Sequence, residues 1–141
     1  MYEIEERIAP GDGADDRLVA PFDMRQKSRA RVILASGSEA GLFLPRGTVL
    51  RDGDCLRTRC GRVVRVEAAP EHVLTVHADG AAALLRAAYH LGNRHVPLQI
   101  GPDWLRLGFD PVLRSMLVGL GVEVAEEHAP FEPEAGAYQG S

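Results

Sequence analysis

The chain has 141 residues, 45% of them hydrophobic, and a formal net charge of −4 from 16 Lys/Arg against 20 Asp/Glu. That length holds one domain or two small ones, and the hydrophobic share is ordinary for a chain that folds in water. No apolar run reaches the ~20 residues that span a bilayer, Met1-Tyr2-Glu3-Ile4-Glu5-Glu6 lacks the plan of a signal peptide, and an acidic chain with few aromatics suits nucleic acid poorly, so a membrane role and a nucleic-acid partner are set aside and the cytoplasm is the expected compartment.

The charge is unevenly spread. Residues 1–70 hold 12 Lys/Arg and 11 Asp/Glu, whereas residues 71–141 hold 4 and 9. Two parts with different partners are expected. The first part, residues 1–70, reads as all β, because short apolar runs recur between turn signals. Gly11-Asp12-Gly13 is a loop. Ala30, Val32 and Leu34 alternate with Arg29, Arg31 and Ile33 as in a strand with one buried face. Ala40 to Leu44 and Val63 to Val66 are further strands, with turns at Gly37, Pro45-Arg46-Gly47 and Asp52-Gly53. A small β-sandwich or open barrel is the natural packing, and the sandwich is the expected fold. Arg25, Lys27, Arg29 and Arg31 recur at period two, which puts all four on one face of a strand. Such a row is either a solvated face that discourages edge pairing or a docking surface for an acidic protein or an extended peptide.

Ala68-Ala69-Pro70-Glu71 reads as a linker, and residues 71–141 follow another grammar. Val73 to Ala78 is a strand. Asp79 is a candidate cap for a helix from Ala81 to Leu91, with Ala81, Leu84, Ala88 and Leu91 on its buried stripe. Gly92 and Asn93 suit a left-handed helix end. Arg94 and His95 follow, and Pro97 pushes Val96 towards extended geometry. Leu98 to Ile100 and Trp104 to Leu107 are short strands. Asp110-Pro111 opens a helix with Leu113, Met116, Leu117 and Leu120 buried, Gly121 stops it, and Val122 to Glu126 is a last strand. The order β-α-β-β-α-β is the ferredoxin-like pattern, so the fold class is α+β. From about residue 129 a loose tail is expected.

The histidines are His72, His77, His90, His95 and His128. No pair has the helical spacing of a zincin, and there is no Cys-x-x-Cys, nucleophile elbow, P-loop or dinucleotide fingerprint. No complete catalytic constellation is visible, so an enzyme is not expected. His95, on a stiff connection between helix and strand, is a good position for a metal ligand, or for a structural imidazole that satisfies a carbonyl. His90 sits on the last turn of the helix, where the dipole favours its positive form. His77 reads as a packed or edge histidine. Cys55 and Cys60 are expected as reduced thiols. They are two small core or edge residues, or a thiolate pair for a soft metal.

Tyr89-His90-Leu91-Gly92-Asn93-Arg94-His95-Val96-Pro97-Leu98-Gln99 resembles the signature of the UreE family of urease accessory proteins, the nickel metallochaperones. Arg25-Gln26-Lys27-Ser28-Arg29, the block from Leu44 to Asp54, and Pro130-Phe131-Glu132-Pro133-Glu134-Ala135-Gly136-Ala137-Tyr138 are similar to the same family. The resemblance covers most of the chain from about residue 20. It implies an N-terminal β domain similar to a peptide-binding module and a C-terminal ferredoxin-like domain that binds metal and forms a homodimer. It further implies that His95 from both subunits binds Ni(II) near the dimer axis, with His128, His90 or a carboxylate as candidates to complete the shell. Zn(II) and Cu(II) are further expected ions. The implied partners are urease apoprotein and the urease accessory GTPase. Many family members carry extra histidines after the second strand of the β-β pair or in the tail. Here Leu107-Gly108-Phe109-Asp110-Pro111 and Tyr138-Gln139-Gly140-Ser141 carry none, so few nickel ions per dimer are expected. The competing reading is a protein-binding adaptor whose basic row grips a partner, with metal binding incidental.

Overall fold

A computed structural model describes residues 1–135. The chain divides into two compact units, Met1–Ala69 and Pro70–Ser141. The first contains β1 (Tyr2–Ile8), β2 (Asp16–Ala20), the short helix α1 (Phe22–Arg25), β3 (Arg29–Ile33), β4 (Glu39–Phe43), β5 (Cys55–Thr58) and β6 (Val63–Ala68). The six strands hydrogen-bond into one sheet in the order β2-β6-β5-β1-β4-β3, with β1/β4 and β2/β6 parallel. Alternation along each strand turns Ile4, Leu18, Val32, Leu42, Leu56, Val64 and Val66 into a single core.

Both ends of the strand order feed that core, so the sheet curls. Its edges meet where Ala35 N–H donates to the Arg17 carbonyl at 2.8 Å. The Asp16 carboxylate completes the join by accepting from the backbone N–H and the hydroxyl of Ser36. Two stacked sheets, as in a sandwich, are therefore corrected to one sheet wrapped on itself. The physical reason is twist, which lets a continuous six-stranded sheet cover its own apolar face.

The second unit contains β7 (Pro70–His77), α2 (Ala81–Asn93), β8 (Gln99–Ile100), β9 (Leu105–Gly108), α3 (Pro111–Gly119) and β10 (Glu123–Pro130). The element order is β-α-β-β-α-β. The sheet order is β10-β7-β9-β8, and every neighbouring pair is antiparallel. Leu74 and Val76 of β7 and Leu105 and Leu107 of β9 share one face, against Ala87 and Leu91 of α2 and Leu113 and Leu117 of α3. Thr75 and Arg106, which pair across β7 and β9, lie on the other face.

The two helix starts differ. Asp110 caps α3, its carboxylate accepting from Val112 N at 2.9 Å and Leu113 N at 3.1 Å, with Pro111 in the first turn. The Asp79 cap does not form. Gly80 takes the N-cap position of α2 at φ 94°, and no side chain caps the helix. An angle that only glycine adopts easily aims the chain, and Asp79 is left one residue too early. The buried stripe of α2 runs through Leu84, Ala87, Ala88 and Leu91, while Ala81 is exposed.

The expectation of a loose tail from residue 129 is corrected up to residue 135. β10 continues to Pro130 and Phe131 is buried. Glu132 N–H donates to the Gln99 side-chain carbonyl at 2.9 Å and Glu134 N–H to the Leu98 carbonyl at 2.8 Å. The rest of the expected tail, 136–141 with Tyr138, lies outside the described residues.

Candidate metal centre

The exit from α2 is built from its backbone hydrogen bonds. α2 runs to Asn93, Arg94 is its C-cap at φ −94°, and Arg94 N–H and His95 N–H donate to the Leu91 and Gly92 carbonyls, each at 3.1 Å. The left-handed residue is therefore neither Gly92 nor Asn93. It is His95 itself, at φ 55°, the one non-glycine residue with a positive φ among the described residues. Histidine enters this region more readily than most side-chain-bearing residues, yet still at a cost. The imidazole is exposed, and Val96, Pro97 and Leu98 are half-buried behind it on the way into β8. His95 thus stands on a tight corner, anchored on one side by the helix and on the other by a proline-stiffened segment.

His90 lies one turn earlier on α2. Its ring meets Tyr89 edge-on at 5.4 Å, and its carbonyl accepts from Arg94 Nη1 at 3.4 Å. His128 belongs to a different group. In the β7/β10 register it is directly opposite His72, and the two rings stack at 5.1 Å with planes 4° apart. Phe109 stacks on His72 at 4.2 Å, and His72 Nε2 lies 3.1 Å from the Glu126 carboxylate. This cluster was invisible along the chain because it requires the pairing register of two strands distant in sequence. His77 ends β7 opposite Glu123 and is exposed. Among the described residues, no group of three or more His, Cys, Asp or Glu side chains is arranged to hold a metal ion.

The face of the sheet away from the helices carries an ion network. Thr75 Oγ1 donates to Glu127 at 2.6 Å, Arg106 donates to both, and its guanidinium lies 4.5 Å from the Trp104 ring centre. The Thr75 hydroxyl first, and the Arg106 charge after burial is offset, hold the Glu127 carboxyl below its ordinary range.

In the first unit, Cys55 is buried on β5 and Cys60 is exposed in the following turn, and both are free thiols. Thr58 Oγ1, 3.3 Å away, is the main cause of a Cys60 thiol pKa below the ordinary value.

The basic row requires a correction. Arg25 is not on a strand. It ends α1 fully buried, its Nε donating to the Ala20 carbonyl at 3.0 Å and Nη1 to the Leu50 carbonyl at 3.1 Å. Lys27 precedes β3, and its N–H donates to the Met24 carbonyl at 3.2 Å. Only Arg29 and Arg31 share a strand face, joined by Ile33, which is 67% exposed. The arginine at position 29 lies over the Phe43 ring at 5.7 Å. β3 ends the strand order, so this exposed row runs along an edge. Period two held over 29–33 but not upstream, where Pro21 starts a helical turn.

Comparison with known proteins adds an independent finding. The family description "UreE urease accessory protein, N-terminal domain" matches residues 3–69, and its C-terminal counterpart matches residues 71–141. A relative from Alkalilimnicola ehrlichii is 56% identical over 140 residues, covering 99% of this chain and 86% of the relative. One from Teredinibacter turnerae is 52% identical over 143 residues, covering 100% and 93%. One from Cupriavidus pinatubonensis is 59% identical over 124 residues, which is 88% of this chain but 56% of the relative, so the chain spans little more than half of that protein. Each carries the name "Urease accessory protein UreE".

Proposed function

We propose that this chain, which belongs to the UreE family of urease accessory proteins, is a cytoplasmic nickel carrier that donates Ni(II) during assembly of the urease metallocentre. It performs no covalent chemistry. Its partners in this reading are urease apoprotein and the urease accessory GTPase. The second unit, with its β-α-β-β-α-β order, is read as a ferredoxin-like domain that forms a homodimer. A two-fold axis turns one exposed imidazole into a pair, His95 and its symmetry mate. Two imidazoles suit Ni(II), and also Zn(II) or Cu(II), while water fills the remaining positions. Such an incomplete shell fits a carrier that must release its ion.

The observation that carries this reading is His95 at φ 55° on the exposed corner between α2 and β8. A ligand held by its own backbone is pre-aimed, so less conformational freedom is lost when the ion binds. His90, on the same helix end, is the nearest further candidate in sequence for the shell. Calorimetric titration of the full chain with Ni(II) is the test. His95→Ala is expected to abolish the tightest binding step and halve no other. Unchanged tight binding in that variant would overturn the assignment.

A second reading is favoured by β3, at the end of the strand order, whose exposed Arg29, Arg31 and Ile33 offer charge and apolar surface to an acidic extended segment. In this reading the first unit is a partner-docking module. Both roles can coexist in one chain.

A further inference from the structure

We propose that His72 and His128 form a second divalent-metal site, taking a borderline ion such as Ni(II), Cu(II) or Zn(II) through one nitrogen of each imidazole. The site does not depend on the role proposed for His95. It rests on the pairing of β7 with β10, which sets His72 and His128 directly opposite each other. Side chains in such cross-strand pairs leave the sheet about 5 Å apart at Cβ. Their rings stand 5.1 Å apart at the centres and nearly parallel, 4° between planes. Imidazole binds a metal in the plane of its ring, so both rings must turn out of this stack until their nitrogens converge on one ion at about 2.0–2.1 Å. The strand register supplies the spacing and the side-chain torsions supply the aim.

The surroundings prepare His72 as a ligand. Glu126 lies two residues before His128 on the same strand face, and its carboxylate is 3.1 Å from His72 Nε2. An ionised carboxylate accepts only, so the proton sits on Nε2 and the lone pair of Nδ1 is left for a metal. This is the arrangement in which metal-binding histidines are commonly held, with the second ring nitrogen donating to a carboxylate. Phe109 stacks on the other side of His72 at 4.2 Å and 8° in the metal-free chain. His72 and His128 are both exposed, so an ion reaches them from solvent. With two protein donors and an orienting carboxylate, the remaining positions fall to water. The site is therefore weaker and faster to exchange than a cage of four side chains.

Its placement gives it a use. β7 and β8 are parallel to one another, since each pairs antiparallel with β9, and Gln99, Arg106 and Thr75 lie level across the sheet. His72 precedes Thr75 and His95 precedes Gln99, so both histidines stand at the same end of this unit. An ion held loosely at His72 and His128 is stored towards the end of this unit that also bears His95.

The experiment uses the full chain, stripped of metal, and titrates Ni(II) and Cu(II) by calorimetry in the His95→Ala background. That variant is expected to retain about one weaker site per chain. Adding His72→Gln or His128→Gln is expected to weaken it at least tenfold, and Glu126→Gln by roughly tenfold, the usual scale for an orienting carboxylate. Histidine-selective NMR on the His95→Ala chain is the second measurement. Substoichiometric Cu(II) is expected to broaden the His72 and His128 ring signals. His72 and His128 signals left sharp by Cu(II), or residual binding unmoved by the glutamine variants, would overturn the site. Loss of the tight step alone in His95→Ala would leave the site standing, so the two assignments fail separately.

Discussion

At His95 the backbone takes φ 55°, a region that costs a side-chain-bearing residue about 1–2 kcal/mol relative to the right-handed one. The sequence marks the corner, because Gly92, Asn93 and Pro97 cluster there, but it assigns the turn to the wrong residue. Helix hydrogen bonding extends through Asn93, and the chain must then reverse within the few residues left before β8. Arg25 makes the same point with a larger consequence. Spacing alone put it among exposed cations, whereas its guanidinium satisfies the Ala20 and Leu50 carbonyls inside the first unit. Removing it takes a donor from the buried Leu50 carbonyl, while Ala20 keeps only the Ala69 N–H, and it empties the space of a fully buried side chain, so Arg25→Ala is expected to destabilise that unit by about 2–4 kcal/mol in urea denaturation. Lys27→Glu, Arg29→Glu and Arg31→Glu together are expected to leave the same transition within about 1 kcal/mol, since these side chains are solvated. A test of partner docking therefore belongs to those three positions and excludes Arg25.

At the scale of elements, legibility follows the range of the interactions that stop and start them. α3 was readable to the residue: Asp110 caps it, Pro111 fits its first turn, and Gly121 at φ 86° follows its end. All of these act within four residues. α2 was readable as a helix but not at its start, since Gly80 reorients the chain there and no side chain caps. The contrast is measurable. Asp110→Ala is expected to cost about 1 kcal/mol in the unfolding of the second unit. Asp79→Ala is expected to change it by less than about 0.5 kcal/mol, as for an exposed residue without a cap bond. Equal losses would contradict the cap assignment. The strands β1 and β2 were hidden for another reason. In β1 the pairing with β5 shifts register between Ile4 and Glu6, and Glu5, Glu6 and Arg7 are all exposed, so the alternation is broken and the strand resembles a charged terminus.

At the scale of the whole molecule, two units with separate cores were legible, because the alternation of period two gives way to helical periods near residue 70. How the first unit closes was not. Its sheet edges join through Asp16, whose carboxyl is held below its ordinary range chiefly by the Ser36 hydroxyl. A carboxyl depressed in the folded state stabilises fully above its unfolded pKa, near ~4. That contribution is lost as pH falls through the folded value. Thermal unfolding of Asp16→Asn is therefore expected to show a lower midpoint than the parent at pH 7, with the difference shrinking below about pH 4. A constant difference across that range would show that the carboxylate charge is not what closes the sheet.

The sequence by itself determined the family, the change of grammar between the two units, the β-α-β-β-α-β order and the motif around His95. Each of these is written in local composition, in periodicity or in contiguous blocks of residues. Only the tertiary structure decided that the first sheet curls onto itself, that Arg25 is buried, that residues 129–130 extend β10 along β7 while Glu132 and Glu134 bond to Gln99 and Leu98, and that His128 meets His72 rather than standing alone. Those outcomes depend on strand register and on hydrogen bonds between residues far apart in the chain. Spacing along one strand does not encode which residue of another lies opposite, because that is set when the hydrophobic faces of both are buried together.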